Sequence, residues 1–473
     1  MRGQTLPMER LFKVENFGHS ISRPGYLFRP THINQVTDLF KLAQKEDLKV
    51  ALRGAGKSYG DAAINGGGIV IDFQRMNRIL EWDPEKGIIT LEPGVTIEQL
   101  WRYTMEDGWW LPVSPGTMFP TIGGCLGGNV HGKNNWKTGT IGEHVLSFSA
   151  LLPSGKKITC TPKENKQFFY SIISGMGLLG VFTSITMQLK KVYSGNLRVH
   201  AWAEPNLQRV LSALDEQKGN DYIVGWIDST ARGKALGRGQ MHSANYLTEA
   251  EDAHPAFTLS PANQDLPDTI MGLVPKSIVY KFMQLGFNRP GIRLVNTAKY
   301  YAGRTLSHHK TYIQSLVAFT YLLDYVPNWE LAYGRGGLIQ YQSFVPKFAA
   351  EDVFREILSL SQRRGMPSYL GVVKRHRPDN FLLSHAVDGY SMALDFKVTN
   401  RNRHRLIQMC QEFNQIVLAG GGRFYFTKDS TLTPDVVRDY LGENVVKAFL
   451  KLKKEADPKG ILESDLYRRC FEA

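Results

Sequence analysis

Residues Leu52–Asp72 read LRGAGKSYGDAAINGGGIVID, with two glycine clusters set between runs of aliphatic residues. Gly54, Gly56 and Gly60 make the first cluster; Gly66, Gly67 and Gly68 make the second. Glycine takes positive φ at no steric cost and lets backbone N–H groups approach a ligand closely, so such a stretch suits the wrapping of a phosphate. Two familiar phosphate loops fail here. A G-x-x-x-x-G-K-[ST] loop needs a glycine where this chain has Ala51. A G-x-G-x-x-G turn opens a helix, whereas here the third glycine comes one residue late and Asn65, three glycines and a strand-like IVIDF follow. The stretch therefore reads as strand, loop, strand, and a pyrophosphate would lie against loop amides rather than at a helix end.

A second stretch supports this reading. From Val113 the chain runs VSPGTMFPTIGGCLGGNVHGKNNWKTGTIGEHV, with Gly116, Gly123, Gly124, Gly127, Gly128 and Gly132 close together. A single glycine cluster is weak evidence, because turns supply many. The R-G-x-G-x-S loop followed by a Pro-Gly turn, a Gly-Gly pair and a His-Gly pair is far more specific. Together they resemble the vanillyl-alcohol oxidase type of flavin domain, also called the PCMH-type FAD domain. The resemblance implies FAD, held by Arg53, Gly54, Ala55, Gly56, Lys57, Ser58 and Tyr59 of the first loop. It adds Pro115, Gly116, Thr117, Gly123, Gly124, Gly127, Asn129 and Gly132 of the second, and Gly180 and Val181 on the adenine and ribose side. Many covalent members attach FAD through a first-loop histidine; Lys57 holds that position here, which implies noncovalent FAD.

Composition bounds the rest. The 473 residues are 42% hydrophobic and 21% charged, an ordinary globular balance, and the length favours two domains. Fifty-seven Lys and Arg against 44 Asp and Glu leave a net charge of +13. Such an excess favours an anionic partner, although solubility alone accounts for it equally well. No basic block interleaved with aromatics marks a nucleic-acid groove. Cys125, Cys160, Cys410 and Cys470 lie far apart without a C-x-x-C, so neither a metal site nor a disulfide framework is expected and a cytoplasmic setting fits. No run approaches the length of a membrane span; peripheral contact with a membrane stays open.

Along the chain, 32–45 has the apolar spacing of an amphipathic helix. Residues 1–195 then read as one α+β domain, in which strands follow each glycine stretch. From Tyr193 glycine thins out. A polar, mobile-looking loop spans Leu247 to Asp268, and the apolar stretch 270–287 carries Lys276 and Lys281. Taken alone, 270–287 reads first as a buried helix, and second as a lid facing a membrane. LIQYQSFVP, YLGVVKRH and SMALDFKVT read as strands, EDVFREILSLSQRRG and RHRLIQMCQEFNQIVLAGG as helices. The expected architecture is an FAD-binding domain (1–195), a substrate domain with an antiparallel sheet and helices (196–419), and a C-terminal return to the first domain (420–473).

RGAGKSYGDAAINGGG, HGKN, IQYQSFVP, VVKR and RFYFTKDS, with the SDLYRR ending, resemble the decaprenylphosphoryl-β-D-ribose 2′-oxidase family over most of the chain. By residue, this implies Lys428 and Tyr425 beside the flavin. His131 joins them as a catalytic or substrate-orienting residue, and Tyr59, Lys133, Gln340, Gln342 and Lys374 fall in the substrate pocket. Gln340 and Gln342 alternate along one strand, so both amides share a face. The mycobacterial relatives carry a flavin-side cysteine where this chain has Ala393. The implied reaction is oxidation of the 2′-hydroxyl of a lipid-linked pentose phosphate, with an NAD(P)H-dependent keto-reductase as partner. A soluble sugar, alditol or aldonolactone oxidase and a flavin-binding scaffold without turnover are the alternatives. No residue in the sequence demands the role of proton acceptor.

Overall fold

Three larger sheets organise the chain in a computed structural model that describes residues 6–270 and 274–472. The first orders strands Leu11–Glu15, Ser22–Phe28, Ile69–Asp72 and Val50–Arg53. The last two run parallel. A parallel pair needs a long crossover, commonly a helix; here the glycine stretch 54–68 is itself the crossover, and no helix interrupts it. Helix Ile33–Lys45 buries Val36, Leu39, Phe40 and Ala43 on this sheet, the face its spacing predicts.

The second sheet is antiparallel, ordered Ile79–Asp83, Ile88–Leu91, Val181–Gln188, Val145–Leu151 and Lys157–Cys160. Helix Ile97–Thr104 follows it, started by a Thr96–Gln99 capping box, and puts Trp101 against Trp110, both fully buried. The second glycine stretch is not all loop. It contains helix Ile122–Gly127, whose Gly124 N–H donates to the Thr121 hydroxyl.

The third sheet has eight antiparallel strands, ordered Lys310–Ser315, Asn196–Glu204, Gly239–Tyr246, Tyr222–Ile227, Leu370–His376, Gly389–Lys397, Leu338–Pro346 and Arg423–Phe424. Helices Leu207–Glu216, Ala350–Arg363 and Arg403–Ala419 pack on it. Its last strand lies beyond residue 420, paired with Leu338–Pro346. The C-terminus is stitched back to the first sheet, where Leu462 bridges Val50 in parallel. Asp457 fixes that return: its carboxylate accepts the Ile461 and Leu462 N–H groups at 2.8 and 2.7 Å and pairs with buried Lys453. The whole is an α+β architecture.

Two expectations need correction. The polar stretch 247–268 is built rather than loose: it forms short helices at Pro255–Thr258 and Pro261–Gln264. Gln264 is buried, donating to the Gly195 and Thr258 carbonyls and accepting from the Val317 N–H. Helix Lys276–Gly286 has no buried residue at all, so it is not the buried helix its composition favours. Met271, Gly272 and Leu273 of the same stretch lie outside the described residues.

Candidate active site

The first glycine loop is held from three sides. Arg53 turns back beneath it, donating to the Glu15 carbonyl at 2.9 Å and the Ala63 carbonyl at 3.3 Å. Gly56, at φ +65°, lies so close over that guanidinium that a Cβ would sit 2.0 Å from it. A Cβ on Gly54 would sit 2.1 Å from the Thr121 hydroxyl, and one on Gly60 would sit 1.7 Å from the Asp429 carbonyl oxygen. These glycines therefore let three segments meet: the first loop, the second loop and the Tyr425–Asp429 turn. The Tyr59 N–H donates to the Thr427 carbonyl at 3.0 Å and fastens the same join.

Between these segments and the eight-stranded sheet lies a cavity of about 690 Å³. Ala55, Gly56, Lys57 and Ser58 line it, and their N–H groups have no protein acceptor among the described residues. That is the donor set an anionic pyrophosphate requires. Pro115, Gly116, Thr117, Gly123, Gly124 and Gly127 line it from the second loop, with Gly180 and Val181 beside them. Two residues named from the sequence are placed otherwise. Asn129 accepts the Gly142 N–H and donates to Asp379, and Gly132 packs against Ser114 and Asn134. Neither lines the cavity; both hold the second loop in shape.

Register explains the opposite wall. Directly opposed residues on antiparallel strands share a face. Trp226 opposes Gln240 and Val372; Val372 and Gln342 both oppose Ala393; Lys374 opposes Ser391; Gln340 opposes Asp395. One face of four neighbouring strands and their flanking strand thus points polar side chains into one cavity. Gln340 donates to Asp395 at 2.6 Å. The Lys428 ammonium stands 3.7 Å from the centroid of the Tyr59 ring, close enough for a cation–π contact.

The electrostatics are one-sided. Arg53, Lys57, Lys133, Lys299, Lys374 and Lys428 line the cavity, with no Asp or Glu among the lining residues. Burial pushes Lys374 down to about 8 and Lys133 down to about 7, the latter also repelled by Lys374. Lys133 donates to the Phe319 and Thr320 carbonyls, so it both lines the cavity and ties down that segment. Burial lowers Lys428 as well, and Asp395 behind Gln340 acts against that shift. Removing this carboxylate leaves the ammonium less favoured. Asp395→Asn is therefore expected to move any activity limb that depends on charged Lys428 to lower pH, in a pH profile of substrate-driven cofactor reduction.

His131 lies at the centre of a ring cluster with His376, His385, Phe344 and Tyr425, at centroid distances of 4.8 to 5.4 Å. Burial first, then Lys374 and the neighbouring histidines, hold it well below the usual imidazole range, so it is neutral. The Gln342 amide N–H donates to its Nε2 at 3.1 Å, which assigns the ring proton to Nδ1. That Nδ1 and the Tyr425 hydroxyl are buried without a protein partner among the described residues; both residues line the cavity. Among the described residues no group of three acidic, histidine or cysteine side chains is arranged for a metal.

Trp226, Gln240, His242, Lys299 and Asp395 were not singled out from the sequence. In GQMHSANY Gln240 and His242 flank Met241 within a strand, and this period of two is the signal that finds His242 beside Gln240. Lys299 sits on helix Arg289–Leu306, 4.2 Å from the Trp226 ring centroid, and only the fold brings it there. Ala393 lines the cavity, and the four cysteines are buried.

Comparison with known proteins bears on the cofactor and the reaction class. Residues 24–161 match the FAD binding domain family. The chain is 29% identical to the decaprenylphosphoryl-β-D-ribose oxidase of Mycolicibacterium smegmatis over 91% of its length and 90% of that protein. It is 27% identical to an uncharacterised Streptomyces coelicolor protein over 79% of its length. It is 28% identical to the L-gulonolactone oxidase of Mus musculus over 35% of its length and 37% of that protein. The chain is an FAD-dependent oxidoreductase with a PCMH-type FAD-binding domain, and it resembles the mycobacterial oxidase along nearly its whole length.

Proposed function

We propose that this FAD-dependent oxidoreductase oxidises the 2′-hydroxyl of a polyprenylphosphoryl pentose to the 2′-keto sugar, the first half of an epimerisation toward arabinose. The observation that carries the reading is the cavity wall: six Lys and Arg side chains and no carboxylate among its lining residues. A bound FAD pyrophosphate accounts for part of that charge, and a phosphodiester on the substrate accounts for the rest. A neutral polyol or lactone would leave several buried lysines uncompensated, which is costly. The similarity to an oxidase named for a lipid-linked ribose supports the same substrate class.

When bound, FAD supplies the hydride acceptor. The chain's own side chains position the alcohol. Gln340 and Gln342 present amides along one strand and orient the sugar hydroxyls; Lys374 takes the phosphate as a point charge. His131, neutral and with Nδ1 unpartnered, meets a sugar oxygen. Lys428, carried on the RFYFTKDS turn beside Tyr59, supplies the cation that stabilises negative charge on the reduced cofactor. Residues 1–195 and 420–473 form the cofactor half in this account, and 196–419 the substrate half. An NAD(P)H-dependent keto-reductase would complete the epimerisation.

FAD is held without a covalent bond in this reading. Lys57 replaces the first-loop histidine, and burial pushes the cavity-lining Cys125 thiol up to about 12, which keeps it from acting as a nucleophile. Acid precipitation of the holoenzyme is expected to release all flavin into the supernatant. A flavin that stays with the precipitated protein would overturn this point. The test of the substrate class is anaerobic reduction by lipid-linked against free sugars: reduction by the lipid-linked sugar phosphate is expected, and reduction by free sugars alone would overturn the reading.

A further inference from the structure

From the charge and exposure of helices Lys276–Gly286 and Arg289–Leu306, we infer that this helical pair is a docking face for an anionic phospholipid surface, placed beside the mouth of the catalytic cavity. Residues 269–323 contain seven Lys or Arg and no Asp or Glu. Only Lys276 among these is ion-paired in the described residues, with Asp268 at 3.5 Å. The first helix exposes Ile278, Phe282 and Leu285, Phe282 at 61% and Leu285 at 78%. Their spacing of four and three residues puts them in one stripe. The second helix buries Ile292, Asn296, Tyr300 and Gly303 and exposes Leu294, Val295 and Tyr301 on the opposite side, Leu294 at 71%. Arg293 and Arg304, eleven residues apart in the sequence, share one flank of that stripe.

Both helices are anchored from behind. Gln284 donates to the Leu331 carbonyl at 2.8 Å, Lys397 donates to the Phe287 carbonyl at 2.8 Å, and Gln240 donates to the Lys299 carbonyl at 2.6 Å. The apolar stripes are therefore an outer face with no protein layer over it among the described residues. An apolar stripe flanked by Lys and Arg is the composition of a helix lying in a lipid headgroup region. A second copy of this chain is a poor occupant, since a two-fold contact would bring together two copies of a face that carries Lys281, Arg293 and Arg304 and has no carboxylate in 269–323 to meet them. No helix among the described residues is long and apolar enough to cross a membrane, so the face lies on the surface rather than through it. The same second helix turns Lys299 inward to the cavity, and the exposed Tyr312 and Leu322 also line it. A lipid-linked substrate would thus pass from bilayer to cavity along this edge. That last step rests on the proposed substrate class; the docking face does not.

The holoenzyme is sedimented with vesicles of phosphatidylcholine alone and of phosphatidylcholine with phosphatidylglycerol. Binding to the anionic vesicles only, falling steeply as salt rises, is expected. A variant carrying Phe282→Ser, Leu285→Ser and Leu294→Ser is expected to lose vesicle affinity by on the order of a hundredfold. Lys281→Glu and Arg293→Glu are expected to cost about tenfold each. Phe348→Ser, at a position 85% exposed on a different part of the chain, is expected to change nothing. All these positions are exposed, and an unchanged flavin spectrum verifies folding. The inference is overturned if anionic vesicles are not bound, if the triple variant binds as well as the parent, or if ultracentrifugation shows the parent dimerising and the triple variant monomeric. Vesicle binding without cofactor reduction by any lipid-linked sugar would sink the substrate reading and leave the docking face standing.

Discussion

A Lys428→Met enzyme is expected to keep its FAD yet to reduce it with substrate about 10²–10³-fold more slowly, the loss typical of removing one charge-stabilising donor. The ammonium is held by the join between the first glycine loop and the Tyr425–Asp429 turn, stands over the Tyr59 ring, and has Asp395 as its nearest named counter-charge. Nothing in that arrangement positions the sugar, so substrate affinity should change little. The separating readout is the flavin midpoint potential. Loss of a cation beside the reduced cofactor makes reduction less favourable, and a hundredfold effect corresponds to a fall of about 60 mV for a two-electron couple. A variant with unchanged potential and unchanged reduction rate would remove Lys428 from the chemistry. Lys428→Arg restores charge without the same reach, and it should recover the potential more fully than the rate.

Gly60→Ala is expected to be at least as damaging, by a different route. The added Cβ would fall 1.7 Å from the Asp429 carbonyl oxygen, a backbone atom that cannot rotate away. Either the first loop or the Tyr425–Asp429 turn must move, at a cost of about 3 kcal/mol or more. Since the loop amides and Lys428 are carried by those two segments, the purified variant should hold little FAD and melt earlier. Gly67→Ala is the control: Gly67 has a positive φ, as Gly56 does, but a Cβ there meets nothing within 4 Å. Its cost should be confined to backbone strain. Equal flavin content in the two variants would contradict the account of the loop join.

These two sites also show what the sequence makes legible. The glycine stretches are local signals, because positive φ and close approach are demands on single residues. The strand Leu338–Pro346 was readable for a similar reason: Gln340 and Gln342 alternate within one apolar run. Asp395 was not, although LDF lies in a strand read correctly. Its importance comes from standing opposite Gln340 on the neighbouring strand, and register is a property of two segments. Lys299 is hidden more deeply, on a helix whose approach to Trp226 depends on tertiary packing. Helix Ile122–Gly127 was missed because four of the six residues in IGGCLG are glycine or cysteine, poor helix formers held in place by the Thr121 cap. Helix Lys276–Gly286 misled in the other direction. Its apolar composition matches a buried helix, and only its exposed position shows that the apolar side faces away from the protein.

The measurement that bears most directly on the central claim is anaerobic bleaching of the holoenzyme's visible flavin spectrum by polyprenylphosphoryl ribose, with free ribitol, xylitol and gulonolactone alongside. Rapid bleaching by the lipid-linked sugar phosphate and none by the neutral compounds at equal concentration is expected, since only the former meets the lysines of the cavity wall. Bleaching by a free polyol or lactone, with the lipid-linked sugar inert, would contradict that claim.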